Sequence, residues 1–193
     1  RGFMTITNTA SVWVGRDLSV GNSSGVAEDN GSTLTIGGGT VYVGDELRLA
    51  GTAGSGAGAD GTLFMYGGVL QVTNQVLVGD HDSSTGVFNM VAGRLAALGE
   101  LVIIDSGSGV GVFRQSGGTA DVAGIVRVGN NTSSDAQLVV TGGVFNAANA
   151  VQIGDNAGAR GSLVVSGGVF NVTNHLEIGQ TGSGTGVFTM AEG

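Results

Sequence analysis

The sequence predicts an all-β protein folded as a parallel β-helix, or β-solenoid, with three short strands in each coil of about 25 residues and about eight coils. Three observations predict it: one phrase recurs every 25 residues, apolar residues alternate within each copy, and turn-forming residues separate the apolar stretches. A unit of this size with one narrow apolar face cannot bury that face alone, so neighbouring units must stack. Every coil therefore depends on the coils beside it.

Two apolar positions carry the repeat. The first steps by 25 from residue 63 to residue 188, through Leu63, Phe88, Phe113, Leu138, Leu163 and Phe188. The second does the same through Val78, Ile103, Val128, Ile153 and Ile178. Both continue upstream at wider spacing, through Met4 and Leu34 and through Val20 and Leu49. We expect each set to form an inward-facing file, meaning the residues at one position of successive coils.

Three strands and three corners make up one coil. Apolar residues two positions apart, the spacing expected of strands, occur at Leu63 and Met65, Leu70 and Val72, and Val76 and Val78. The first corner is a Gly-Gly pair, as at Gly67-Gly68, where the backbone can turn at positive φ. The second corner is Asn or Gly, types that tolerate left-handed backbone, at Asn74, Gly99, Gly124, Asn149 and Asn174. The third corner is Gly followed by a polar residue, as at Gly79-Asp80.

The crossover rule for parallel strands predicts a right-handed coil. Other repeat folds fit less well, because a propeller blade needs roughly 40 residues and a leucine-rich repeat contains a helical half. The 39 glycines also disfavour long helices. The repeat runs through residues 1–193 without a linker, so we predict one continuous domain, a segment of a longer repeat protein. Neither end carries a polar cap, and we expect other repeats, flanking domains or neighbouring copies to cover the open strand edges.

Composition excludes several function classes. The chain has 193 residues, a net charge of −8, seven basic residues that are all arginine, no cysteine and no proline. Nucleic-acid binding needs a basic stripe, which is absent. The chain contains no run of 18 apolar residues, so the sequence predicts no membrane-inserted segment. Because there is no cysteine, neither a thiolate metal site nor a disulfide is possible. The absence of proline suits strands that need every backbone donor. We predict no cofactor and no metal.

Aromatic residues gather outside the N-terminal coils. Trp13 and Tyr42 share one outward file, and Phe64 and Tyr66 point outward from the preceding strand of their coil. The same end carries two longer loops, Asn22 to Asn30 and Gly51 to Asp60. Exposed aromatic rings stack on sugar rings or on another protein. These four residues are the candidate ligand or partner site, with coverage by a loop or a neighbouring domain as the alternative.

Acidic and histidine side chains offer candidate chemistry at the third corner. Asp80 and Asp105 are one coil apart, a separation near that of retaining glycosidase carboxylates, and with Asp82 they are also candidate Ca²⁺ ligands. However, polar residues continue this file, which indicates turn chemistry. His81 and His175 have no Ser and Asp partners suggested by spacing. The sequence therefore predicts no catalytic and no metal residue here.

Three further polar residues need an interpretation. Arg94 and Asp121 should be outward neighbours on adjacent coils, and an exposed ion pair is more common than a catalytic pair. Gln115 stands in an inward file, where a buried amide is costly unless it is hydrogen-bonded. We expect Gln115 to bond to backbone.

The phrase G-x-L-x-V-x-G-G-x-F-x-V-x-N-x-L-x-I-G, clearest from Gly161 to Gly179, resembles the repeats of bacterial autotransporter passengers and PEP-CTERM-associated surface proteins. Ile104 departs from it by replacing the usual Gly after the third strand. The resemblance implies a secreted or bacterial cell-surface protein with a structural or adhesive role, and it brings no catalytic residues. We therefore predict a non-enzymatic stalk, fibre or adhesin. The alternative is a carbohydrate-binding or polysaccharide-degrading β-helix.

Overall fold

The computed structural model describes residues 1–21, 31–51, 58–81, 83–131, 135–180 and 182–191. These residues form a parallel β-solenoid of 20 strands without a helix, as the repeat predicts. None of them therefore belongs to a helix that could cross a membrane. Of the two predicted longer loops, Asn22 to Asn30 lies outside the described residues, as does most of Gly51 to Asp60.

Each coil contributes a first, a second and a third strand. The first strands are β1 (Phe3–Ile6), β4 (Gly31–Ile36), β11 (Val110–Gln115), β14 (Asp135–Val140), β17 (Arg160–Val165) and β20 (Thr185–Met190). The second strands are β2 (Ser11–Val14), β5 (Thr40–Val43), β12 (Thr119–Val122), β15 (Val144–Ala147) and β18 (Val169–Val172). In the third and fourth coils one long strand spans both positions, β7 (Asp60–Val72) and β9 (Thr85–Ala97). The third strands are β3 (Leu18–Val20), β6 (Leu47–Leu49), β8 (Gln75–Val78), β10 (Glu100–Ile103), β13 (Val126–Val128), β16 (Val151–Ile153) and β19 (Leu176–Ile178).

The strands form one sheet of 13 strands and one of seven. The larger sheet contains the first and second strands, and the smaller one contains the third strands. The described residues therefore make seven complete coils and the first strand of another, slightly fewer than the predicted eight. At about 4.8 Å per step, eight stacked first strands span roughly 34 Å.

Strand pairing follows the predicted files. In the fourth and fifth coils Phe88 is the Cα partner of Phe113, and Ile103 is the partner of Val128. Across the wider N-terminal coils Met4 pairs with Leu34, so the extra residues lie in loops and leave the register unchanged. Because each strand bonds to the equivalent strand one coil away, a sequence step becomes a fixed step in space.

The core is a continuous stack of apolar side chains. Leu63, Phe88, Phe113, Leu138 and Leu163 are fully buried. The ring centroids of Phe88 and Phe113 lie 4.7 Å apart, a distance at which aromatic pairs attract beyond their buried area. Coil-to-coil cohesion therefore comes from side-chain packing as well as from backbone hydrogen bonds.

Gln115 is the one amide among the buried residues of the described core. Its Nε2 donates to the carbonyl oxygens of Gly118, at 3.2 Å, and Val144, at 3.0 Å. The Gly118 oxygen also accepts the Val144 N–H. Gln115 thus bonds to backbone at the first corner, as expected, but its Oε1 has no partner among the described residues.

The first corner requires glycine for two separate reasons. The second glycine of each pair has positive φ, for example +73° at Gly118 and +78° at Gly143. A Cβ on Gly143 would also lie 2.4 Å from the backbone oxygen of Gly118, one coil below. The first glycine of the pair, Gly142, does not have left-handed φ. Crowding alone excludes a side chain there, because a Cβ on Gly142 would lie 2.4 Å from the backbone oxygen of Ser116. Axial crowding, and not only backbone conformation, selects this pair.

The second corner differs from the prediction. Asn74, Gly99, Gly124, Asn149 and Asn174 do not have positive φ. Asparagine instead bonds along the axis: Asn74 Nδ2 donates to Asp45 Oδ1 at 3.0 Å, and Asn174 Nδ2 to Asn149 Oδ1 at 3.2 Å. Glycine is used where space is short, because a Cβ on Gly99 would lie 1.7 Å from the backbone oxygen of Asn74.

The third corner, like the second glycine of the first corner, has left-handed backbone throughout. Gly79, Gly129 and Gly154 have φ of +76°, +76° and +62°, and Ile104 keeps the same conformation at +61°. A β-branched residue there is strained by roughly 1–2 kcal/mol. Ile104 is fully buried, so its apolar side chain offsets that strain. The departure from the repeat leaves the coil regular.

Candidate functional site

Trp13 and Tyr42 form an aromatic stack on the outside of the first two coils. They are Cα partners on β2 and β5, and their ring centroids lie 3.8 Å apart with planes inclined by 19°. Trp13 is 74% exposed. Tyr42 is half-buried, and its Oη accepts a hydrogen bond from Thr73 Oγ1 at 3.1 Å. The stack is therefore held by a hydrogen bond from the next coil, while the indole meets solvent.

Phe64 and Tyr66 form a second pair on the outward side of β7. Their ring planes are within 3° of parallel and their centroids are 6.0 Å apart. Tyr66 is 53% exposed, and the strand pairing shifts on either side of it. Among the described residues no ring contact joins this pair to Trp13 and Tyr42. The structure thus places the four predicted residues outward, as two separate pairs and not as one cluster.

Arg94 and Asp121 are neighbours on adjacent coils, as predicted. Arg94 Nε donates to Asp121 Oδ2 at 2.8 Å. Asn146 Nδ2 donates to Asp121 Oδ1 at 2.8 Å, and Asn171 Nδ2 continues the file by donating to Asn146 Oδ1 at 2.8 Å. The hydrogen bond from Asn146, with further help from Arg94, holds the pKa of Asp121 below its ordinary value of 3.8. This carboxylate is an anchored acceptor and carries no proton for acid–base chemistry near neutral pH.

The third corner brings together a polar cluster that spacing alone did not reveal as a cluster: Arg48, Asp80, His81, Asp105 and Ser106. Asp80 is buried, at 6% exposure. Burial raises the pKa of Asp80 above 3.8 and the charge of Asp105 adds to this, while His81, Arg48 and Ser106 act in the opposite direction. Arg48 Nη1 lies 3.8 Å from Asp80 Oδ2.

His81 has a serine and an aspartate nearby, so the prediction that it has neither is wrong. Ser106 Oγ lies 3.1 Å from His81 Nδ1, and His81 Nε2 lies 3.9 Å from Asp80 Oδ2. The last distance exceeds a hydrogen bond, and the Ser106 hydroxyl donates to the backbone oxygen of Asp80. The arrangement therefore links two neighbouring corners.

The predicted Asp80 and Asp105 file also behaves as turn chemistry. Asp105 is exposed, and its Oδ1 accepts a hydrogen bond from Asn130 Nδ2 at 3.0 Å, one coil away. Asp82 lies outside the described residues. Within the described ranges no three His, Asp or Glu side chains are grouped to hold a metal ion. His175 is exposed on the seventh coil.

A polar ladder crosses the outer face of the third strands. Glu100 accepts hydrogen bonds from Gln75 Nε2 at 3.3 Å and from Arg127 Nη2 at 3.2 Å. Arg127 Nη1 donates to Gln152 Oε1 at 3.0 Å, and Gln152 Nε2 donates to Glu177 Oε2 at 2.7 Å. Donors and acceptors thus link five coils. The sequence contains the signal, because Gln75 and Glu100, and Gln152 and Glu177, are 25 residues apart.

The functional interpretation has to come from this geometry. The likeness to autotransporter and PEP-CTERM-associated repeats stays a prediction, since it rests on turn glycines and core aliphatic residues that any regular β-solenoid needs. Comparison of the chain with family models, curated proteins and solved structures finds no match.

Proposed function

We propose that the chain is part of a secreted or bacterial surface-displayed β-solenoid that acts as a stalk, fibre or adhesin and has no enzymatic activity. The observation that carries the proposal is the stacking of every strand on its equivalent one coil away, in two continuous sheets. In this proposal the function lies in rigid length. The open strand edges of the first and last coils pair with further repeats, flanking domains or neighbouring copies.

Axial bonding between side chains supports a mechanical role. The ladder from Gln75 to Glu177 and the file Asp121, Asn146 and Asn171 run along the rod. Both add side-chain hydrogen bonds to those of the backbone.

Display on the cell can be tested with antibodies raised against this segment. In bacteria that produce the protein, we expect labelling of intact cells or of the medium, and loss of the label after mild protease treatment of whole cells. A cytoplasmic protein measured in the same samples controls for lysis. Labelling only after the cells are broken open would contradict the proposal.

Carbohydrate binding at the Trp13 and Tyr42 stack is the second candidate function. A 74% exposed indole, fixed by a ring stacked at 3.8 Å, is the observation that favours it. A rigid aromatic surface beside hydroxyl groups suits a pyranose ring. On a glycan array we expect binding by the wild type and loss in Trp13→Ala and Tyr42→Ala. Val91→Ala, which removes an exposed side chain elsewhere, is the control. Equal signals from all four proteins, or none from any, would count against it.

A further inference from the structure

A small depression lies on the outer surface of the second strands, in the fourth to sixth coils. It has a volume of about 180 Å³. In the outward file that passes through Gln71, Ala96 and Asp121, the short side chain of Ala96 leaves a gap between two longer ones. Leu98 and Ala148 line the depression together with Arg94 and Asp121. The depression therefore combines an apolar floor with a charged edge.

Arg94 is held from one side only. Its Nε donates to Asp121 Oδ2 at 2.8 Å, and its side chain is 58% exposed. Neither terminal Nη group has a hydrogen-bond partner among the described residues. The other oxygen of Asp121, Oδ1, accepts from Asn146 Nδ2 at 2.8 Å. The guanidinium is thus oriented and keeps donors for a second acceptor.

We propose that this depression binds a small carboxylate-bearing ligand with a body the size of one ring. The Nη groups of Arg94 supply the donors that match a carboxylate in geometry and charge. The apolar floor beside Leu98 takes the body of the ligand. Pockets for drug-sized ligands start at roughly 300 Å³, so the smaller volume selects a single ring over a chain. The site is independent of the structural role proposed above.

Two acids with matched neutral compounds test the proposal. The titrations use glucuronate against glucose, and cyclohexanecarboxylate against cyclohexylmethanol, followed by the amide shifts around Arg94 and by ligand-detected NMR. We expect roughly millimolar affinity for an acid, because exposed ion pairs are weak. Its neutral counterpart should bind at least about 10-fold more weakly, because the charged hydrogen bond to Arg94 is lost. Glucuronate alone assigns the site to sugar acids, and cyclohexanecarboxylate alone assigns it to apolar acids.

Three variants separate the site from non-specific attraction. Arg94→Gln removes the cation and should weaken binding at least about 10-fold. Ala96→Gln fills the gap with the side chain that Gln71 already places one coil below, so it should fold normally, keep Arg94 and still abolish binding. Arg114→Gln removes another exposed arginine and should leave the affinity unchanged. Binding of neither acid, equal binding of acid and neutral compound, or full binding by Ala96→Gln would overturn the proposal.

Discussion

Axial crowding at the first corner can be measured with two alanine substitutions in one coil. Gly168 and Gly179 both lie in the seventh coil and both have left-handed backbone, with φ of +76° and +63°. A Cβ on Gly168 would lie 2.5 Å from the oxygen of Gly143, one coil below, whereas a Cβ on Gly179 meets nothing closer than the Gly184 oxygen at 3.4 Å. Within residues 1–193 Gly179 has no counterpart of the backbone oxygens of Val110, Arg160 and Thr185, which crowd Gly79, Gly129 and Gly154. The pair therefore separates the coil-to-coil contact from backbone strain.

The two substitutions should differ by about 1–3 kcal/mol in the free energy of unfolding. Alanine in left-handed backbone costs roughly 1–2 kcal/mol, and reduced freedom of the unfolded chain returns about 0.4–1 kcal/mol. Both variants share these contributions. Gly168→Ala must also push the Gly143 carbonyl away by close to 1 Å, and overpacking of that kind costs typically 1–3 kcal/mol. We therefore expect a loss of about 1–4.5 kcal/mol for Gly168→Ala and of at most about 1.5 kcal/mol for Gly179→Ala.

Urea unfolding followed by far-ultraviolet circular dichroism gives the global stability of each variant. Because solenoids open coil by coil, hydrogen exchange of the β17 and β18 amides should accompany it. We expect these amides to lose protection in Gly168→Ala and to keep most of it in Gly179→Ala. Equal losses in the two variants would show that backbone strain alone selects glycine at the first corner, and would refute the crowding argument.

Three more predictions follow from the core and from the acidic side chains. The free energy of unfolding of Gln115→Met, measured in urea, should lie within about 1 kcal/mol of the wild-type value. The variant loses two modest hydrogen bonds but also removes the unpaired Oε1, and Met90 already occupies the same file. A loss of stability above about 3 kcal/mol would contradict this. Phe113→Ala should lose about 3–5 kcal/mol in the same assay by opening a cavity between two rings, and a loss below about 1 kcal/mol would argue against a rigid core. The third prediction concerns pH. The lowered pKa of Asp121 stabilises the fold above pH 3.8, and this stabilisation is lost as pH falls through the folded pKa of Asp121. The raised pKa of Asp80 means that its ionisation destabilises the fold at neutral pH, and this cost disappears as pH falls from the folded pKa of Asp80 towards 3.8. In urea titrations at pH 7, Asp121→Asn should therefore lower the midpoint and Asp80→Asn should raise it. The Asp80→Asn difference should vanish below pH 3.8, and the Asp121→Asn difference only below the folded pKa of Asp121; shifts of the same sign at pH 7 would disprove the assignment.

The sequence predicted the fold and register well because period and register are the same quantity in a parallel solenoid. A step from Phe88 to Phe113 along the chain is one step along the axis, and the strand pairing confirms it. The same rule places Ser106 above His81, exactly one repeat later, yet its meaning for His81 was missed. Spacing gives the neighbour of a residue but not the direction of its side chain, and the Ser106 hydroxyl turns towards a backbone oxygen.

The second corner shows where residue type misleads. Asn and Gly at this position are typical of left-handed backbone, but here they serve axial amide bonds and tight packing. The left-handed residues lie at the first corner and at the third corner, where the sequence places Ile104 in one coil. Conformation at a corner is set by the path of the neighbouring coil, and single-residue preference cannot report that path.

Residue-for-residue pairing also governs how such a gene can change in length. Ala136 faces Gly161 and Gly111 faces Ala136, so excision of residues 136–160 would join surfaces that already match. Loss of one residue from a strand would instead turn its apolar side chains towards water. Unequal recombination within the strands is therefore tolerated only in whole multiples of a coil, whereas loops can lengthen as they do in the N-terminal coils. The rod can thus be shortened or extended in evolution without redesign of its interior.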